Sequence, residues 1–149
     1  MKAIILTYAD FKEKELIRDT NIFKIALNQH AEELKPDIRI ITDYNLGEKC
    51  IKFPQKIISL RDHFRFTTNR AIYPDLEFKG STILAAIDWL IQQKYREILI
   101  IGDNTVNTKE FQDKVNEEIE KIKHKANIYQ FSSGNFNLPV MSIKEFLGE

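Results

Sequence analysis

Apolar positions along the chain follow two patterns. The first is a set of short, nearly unbroken apolar runs: residues 2–7 (KAIILT), 22–27 (IFKIAL), 38–42 (IRIIT), 56–60 (KIISL), 97–101 (EILII) and 127–131 (NIYQF). A strand covered on one face alternates apolar and polar side chains, whereas a strand covered on both faces reads as a continuous apolar run. These segments therefore predict buried strands of a parallel sheet. Turn-formers bound several of them: Lys35-Pro36-Asp37 and Pro54 precede two, and Gly102-Asp103-Asn104 and Ser132-Ser133-Gly134 follow two more.

The second pattern has a helical period. Residues 81–94 place Ile83, Ile87 and Leu90 on one stripe, with Leu84 and Ile91 beside it. Residues 109–123 place Phe111, Val115, Ile119 and Ile122 on one face, and the other face is almost wholly charged. Thr108 or Asn107 suits the cap of that helix. Weaker helical patterns cover 10–17 and 30–34. Residues 61–79 show no clear element, and loops of that length in compact domains are usually functional or disordered. Strands alternating with helices predict a single α/β domain over residues 1–149. It is a three-layer sandwich around a mostly parallel sheet of about six strands, with right-handed crossovers.

Charge and composition narrow the partners. The 22 basic and 22 acidic residues cancel, which argues against a broad nucleic-acid surface. The apolar runs fall far short of the ~18 residues a membrane helix needs. No signal-peptide pattern is apparent, so the expected location is cytoplasmic. A lone cysteine, Cys50, cannot form an internal disulfide or a cysteine-cluster zinc site. His30, His63 and His124 show no metal-ligand spacing. Neither a metal nor a cofactor is expected.

In an open parallel sheet, ligands bind beyond the carboxyl ends of the strands, at the point where strand order reverses. The residues at those ends are Tyr8-Ala9-Asp10, Asn28-Gln29-His30, Asp43-Tyr44-Asn45, Arg61-Asp62-His63, Asp103-Asn104 and Ser132-Ser133-Gly134. Asp, Asn and Ser favour turns and caps for purely structural reasons, but six polar ends on one rim point to a pocket there. Gly80-Ser81-Thr82 opens the best helix, where free N–H groups suit an anion, although Ser81 serves equally as a plain cap. No Walker loop or dinucleotide fingerprint occurs. Arg61, His63, Arg65 and Arg70, interleaved with Phe64 and Phe66, read as an anion-binding lid or as a solvated amphipathic segment. His30 and His63 follow strands and have the imidazole chemistry of a general base. Trp89 and Phe146 read as core or lid residues.

Three stretches resemble the bacterial sialyltransferase-like Rossmann proteins. These comprise lipooligosaccharide sialyltransferases that use CMP-sialic acid and related motility-associated and MptE-like domains. Residues 19–43 (DTNIFKIALNQHAEELKPDIRIITD) are similar to the family's strand ending in Asn-Gln. Residues 80–104 (GSTILAAIDWLIQQKYREILIIGDN) are similar to its small-residue helix start and following strand. Residues 127–147 (NIYQFSSGNFNLPVMSIKEFL) are similar to its closing stretch. The resemblance implies a Rossmann-like fold and a CMP-type nucleotide or nucleotide-sugar pocket. Asn28, Gln29, Ser81, Thr82, Asp103, Asn104 and Ser132 would line it, with the Arg61, His63, Arg65 and Arg70 loop as lid. It also implies metal-independent glycosyl transfer in surface glycan synthesis.

The chain departs from that family in two places. The usual strand-x-N-G-P-S-L turn is replaced by Thr7-Tyr8-Ala9-Asp10-Phe11, where Asp10 repels a close phosphate. Only five residues separate Ile101 from Asn107, which leaves no room for the family's acceptor-binding insertion. Two readings follow. One is a nucleotide-binding protein of the glycosyltransferase type, favoured because Asn28-Gln29 is kept where the fold gives no reason for it. The other is a non-catalytic homologue acting as an interaction or scaffold protein, a homo-oligomer. A phosphohydrolase using Asp10 as nucleophile ranks third.

Overall fold

The computed structural model describes residues 1–42, 52–59, 71–78, 80–102, 108–132 and 134–148. One sheet holds β1 (Lys2–Leu6), β2 (Phe23–Leu27), β3 (Ile38–Ile40), β4 (Lys56–Ile58), β5 (Ala71–Ile72), β6 (Glu97–Ile101) and β7 (Asn127–Gln130). All pairings are parallel, in the order β5-β4-β3-β2-β1-β6-β7. The described helices are α1 (Lys14–Asp19), α2 (Thr82–Gln92), α3 (Lys109–Ile122) and α4 (Ile143–Leu147). The chain builds outward from β1 to β5, then returns to lay β6 against the other side of β1. That reversal defines a Rossmann-like α/β fold with its switch point between β1 and β6.

The burial pattern accounts for the unbroken apolar runs. Ala3 and Ile5 of β1, with Ile25, Leu27, Ile98 and Ile100, pack against Leu84, Ile87 and Leu90 of α2 and Val115, Ile119 and Ile122 of α3. Their neighbours Ile4 and Leu6, with Ala26, Leu99 and Ile101, face the other way onto Ile17 of α1 and Ile143 and Phe146 of α4. Both faces of the central strands are thus desolvated, and each fully buried Ile or Leu contributes about 1.5–3 kcal/mol. Trp89 is half-buried and stacks on Phe23, with ring centroids 6.2 Å apart.

Helices run antiparallel to the strands they cover, so their C-termini lie over the amino ends of the strands. Two lysines exploit this. Lys24 of β2 is buried and its Nζ donates to the Ile17, Arg18 and Thr20 carbonyls at 3.0, 3.1 and 3.4 Å, closing the C-terminus of α1. Lys2 of β1 donates to the Phe146 carbonyl at 2.5 Å in the last turn of α4. A cation there meets both the free carbonyls and the negative end of the helix dipole.

The structure differs from the sequence expectation in four respects. The sheet has seven strands because Ala71–Ile72, inside the 61–79 stretch read as lacking an element, pairs with β4. Two residues are too short a run to show a period. The helix expected over 10–17 begins at Lys14, since Glu13 at its N-cap makes no side-chain cap bond and residues 8–11 are used in the turn after β1. The helix expected over 30–34 shrinks to a 3₁₀ turn, Glu32–Leu34, flanked by Ala31 and Lys35 at φ 63° and 55°. Helix α4 was not anticipated, although Ser142 and Glu145 form a capping box, a signature readable as S-I-K-E.

Candidate functional site

Parallel strands place every carboxyl end on one edge of the sheet. There the turn after β1, carrying Tyr8, Ala9 and Asp10, faces the turn after β2, carrying Gln29, His30 and Ala31. With Lys14 and Glu33 they enclose a cleft of about 520 Å³. Asp10, Lys14, Gln29, His30 and Glu33 are all exposed. None of these five side chains has a hydrogen-bond or ion-pair partner among the described residues. The cleft thus offers two carboxylates, an ammonium, an amide and an imidazole. Tyr8 is half-buried and meets Phe11 edge-on at 6.0 Å, and Phe11 in turn contacts Phe131 at 5.8 Å, giving one end of the cleft an aromatic base.

The wall formed by the β2 turn is built from inside the sheet. Arg39 of β3 has no exposed surface, yet Nη1 and Nη2 of its guanidinium both hold this wall. Nη1 donates to the carbonyls of Asn28 and His30 at 2.8 and 2.6 Å, and Nη2 to the Glu32 carboxylate at 2.5 Å. Arg39 Cζ sits over the Phe53 ring, 4.1 Å from its centroid, and Gln55 donates to the other Glu32 oxygen at 2.8 Å. Sequence reasoning passed over Arg39. The signal was a charge inside the apolar run IRIIT, since a fully buried arginine is nearly always paired.

Asn28 also has a structural task. Its φ of 52° lies in the left-handed region that Asn tolerates, its N–H donates to the Ile40 carbonyl at 2.8 Å, and its Oδ1 accepts from the Thr42 N–H at 3.3 Å. The fold therefore does account for Asn28, contrary to the expectation that only a ligand would. Thr42 continues the chain of contacts, its hydroxyl bonding that of Thr82 at 2.5 Å. Ser81 caps α2 by accepting from the Leu84 N–H at 3.1 Å. Asn28, Ser81 and Thr82 are thus brought together, and Thr42, which the sequence did not single out, joins them.

Ser132 is exposed at the end of β7 on the same edge. Three strand spacings separate β7 from β2, roughly 14 Å at ~4.8 Å each. Ser132 therefore belongs to the rim but not to the cleft. At the switch point itself, the Thr7 N–H and hydroxyl both donate to the Ile101 carbonyl at 3.0 Å. Gly102 packs so closely there that a Cβ would meet Thr7 Cγ2 at 3.0 Å. Asp103, Asn104, Arg61, His63, Arg65 and Arg70, like Asp43 and Cys50, lie outside the described residues. His124 is exposed, and Phe146 is buried in the core.

Burial pushes the Lys24 ammonium below its usual range, with Asp37 opposing that shift. Tyr95 is raised, first by burial and then by Asp37. Both groups lie near the amino ends of the strands, away from the cleft. Among the described residues, no group of three or more His, Cys, Asp or Glu side chains is arranged to hold a metal ion. No helix among them is long and apolar enough to cross a membrane.

Fold and site together define a Rossmann-like α/β protein with a polar cleft at the carboxyl edge of its sheet. Compared with family models, with curated proteins and with solved structures, the chain gives no significant match.

Proposed function

We propose that this chain binds a nucleotide or nucleotide-sugar of the CMP type at the carboxyl edge of its sheet, in the manner of sialyltransferase-like proteins. The observation that carries this reading is the 520 Å³ cleft between the β1 and β2 turns, where the Asp10, Lys14, Gln29, His30 and Glu33 side chains have no partner among the described residues. Its position beside the β1–β6 reversal is where open α/β sheets collect ligands. Gln29 is the amide free to contact a base or sugar. His30 is the group placed to take a proton from an acceptor hydroxyl, should the bound sugar be transferred.

A second reading, a non-catalytic interaction protein, draws support from the site's own hydrogen bonds. Asn28 Oδ1 and Ser81 Oγ are both spent on backbone N–H groups, so neither is retained for a ligand alone. A thermal-shift series with CMP, UMP, AMP and GMP at millimolar concentration separates the two. Binding at 100 times Kd stabilises by about 2.7 kcal/mol, worth several degrees in Tm at this size. The Gln29→Ala variant should lose that shift while keeping the unliganded Tm. No shift with any nucleotide would overturn the ligand-binding reading.

A further inference from the structure

The charges around the cleft say which part of such a ligand it accepts. We infer that Asp10 is a specificity-determining residue: with Glu33 it makes the β1–β2 cleft receive the uncharged, hydroxyl-bearing part of the ligand and exclude its phosphate. This rests on the nucleotide reading above.

The two carboxylates come from different elements, Asp10 from the turn after β1 and Glu33 from the 3₁₀ turn after β2, and both line the same cavity. Lys14 is the one described cation of fixed charge in that lining. Asp10, Glu33 and Lys14 together leave the lining one net negative charge. None of these carboxylates is neutralised by an ion pair among the described residues. A phosphomonoester near neutral pH brings roughly −1.5 to −2 charges, so it enters against the local field. A ribose or a base brings hydroxyl and amino donors, which carboxylates accept well. Tyr8, on its Phe11–Phe131 base, supplies an apolar face beside those acceptors.

The test compares cytidine with cytidine 5′-monophosphate, and the three other nucleosides with their monophosphates, by calorimetric titration of the full chain at low and at physiological salt. Wild-type protein should bind the nucleoside at least as tightly as its monophosphate, and added salt should favour the monophosphate, because screening weakens the repulsion. Asp10→Asn keeps the shape and removes the charge. It should tighten the monophosphate about fivefold to tenfold at low salt and leave the nucleoside within about twofold, the size expected for one charge screened by water at a rim. Glu33→Gln should act in the same direction, so the inference does not depend on one variant folding. An unchanged monophosphate-to-nucleoside ratio in both variants overturns the inference while leaving nucleotide binding intact. Absence of binding by every compound, to wild type and variants alike, overturns both.

Discussion

Replacing Arg39 by Met tests how the cleft wall is held. The side chain is fully buried and makes three charge-assisted hydrogen bonds, to the Asn28 and His30 carbonyls and to Glu32, besides lying on Phe53. Met fills a similar volume, so cavity formation is a minor part of the loss. Buried ion pairs are often replaced by apolar groups without penalty, because removing both charges recovers their desolvation cost. Here only one charge is removed. The Glu32 side chain is 39% exposed and can rehydrate, which limits its share of the loss. The two carbonyls are worse placed, since they belong to a turn fixed by Asn28 and Ala31 in the left-handed region. Each carbonyl left without a donor costs about 1–3 kcal/mol, so the expected total is about 3–4 kcal/mol. With a urea m-value of about 2 kcal/mol/M, the unfolding midpoint should fall by about 1.5–2 M. Glu32→Gln keeps an acceptor for Nη2 and should cost only about 1 kcal/mol. The reasoning fails if Arg39→Met shifts the midpoint by less than about 0.5 M, or if Glu32→Gln proves the more damaging of the two.

Three further outcomes follow from the same contacts. The buried Lys24 has a folded-state pKa below its unfolded one. The unfolded chain therefore holds more protons in the alkaline window just below pH 10.5, and stability contributed by this group rises with pH there. Subtracting the Lys24→Met stability–pH curve from the wild-type curve cancels Tyr95 and the surface lysines. That difference should slope upward as the pH rises toward 10.5, and a flat or falling difference would refute the burial argument. Lys94 stands at φ 75° just past α2, where the Lys94 and Tyr95 N–H groups close onto the Ile91 and Leu90 carbonyls, the geometry that favours glycine. Lys94→Gly should accordingly gain about 0.5–1 kcal/mol, a rise of ~2–3 °C in a calorimetric Tm. Gly102→Ala would press a Cβ against Thr7 Cγ2 at 3.0 Å and Ile100 Cγ2 at 3.2 Å and should cost about 1–3 kcal/mol. Thr7→Ala in the same chain should recover part of that loss, and strict additivity of the two substitutions would show that the contact is not the cause.

Different parts of the molecule were legible to different degrees. Helices α2 and α3 were readable nearly residue by residue, because a stripe of apolar side chains at helical spacing and a Ser81 or Thr108 cap are local features. The central strands were readable for a related reason: covering both faces of a parallel strand leaves few positions for a polar side chain, and composition records that directly. The carboxyl-edge location of the cleft followed from topology, and His30, Gln29 and Asp10 were all named among the strand ends.

The tertiary structure decided what no local window contains. Strand β5 exists because β4 offers it a ladder, not because Ala71-Ile72 has a strand signature. Arg39 and Lys24 look like interruptions of apolar runs until the Asn28 and His30 carbonyls and the C-terminus of α1 are folded against them. The Asn28 side chain finds its partner in Thr42, fourteen positions away, and Thr82 is a further forty positions from Thr42. A periodic pattern is written into neighbouring residues by the solvent each side chain meets. A hydrogen-bond partner is chosen by which distant segments the sheet brings within 3 Å, and one sequence does not encode that locally.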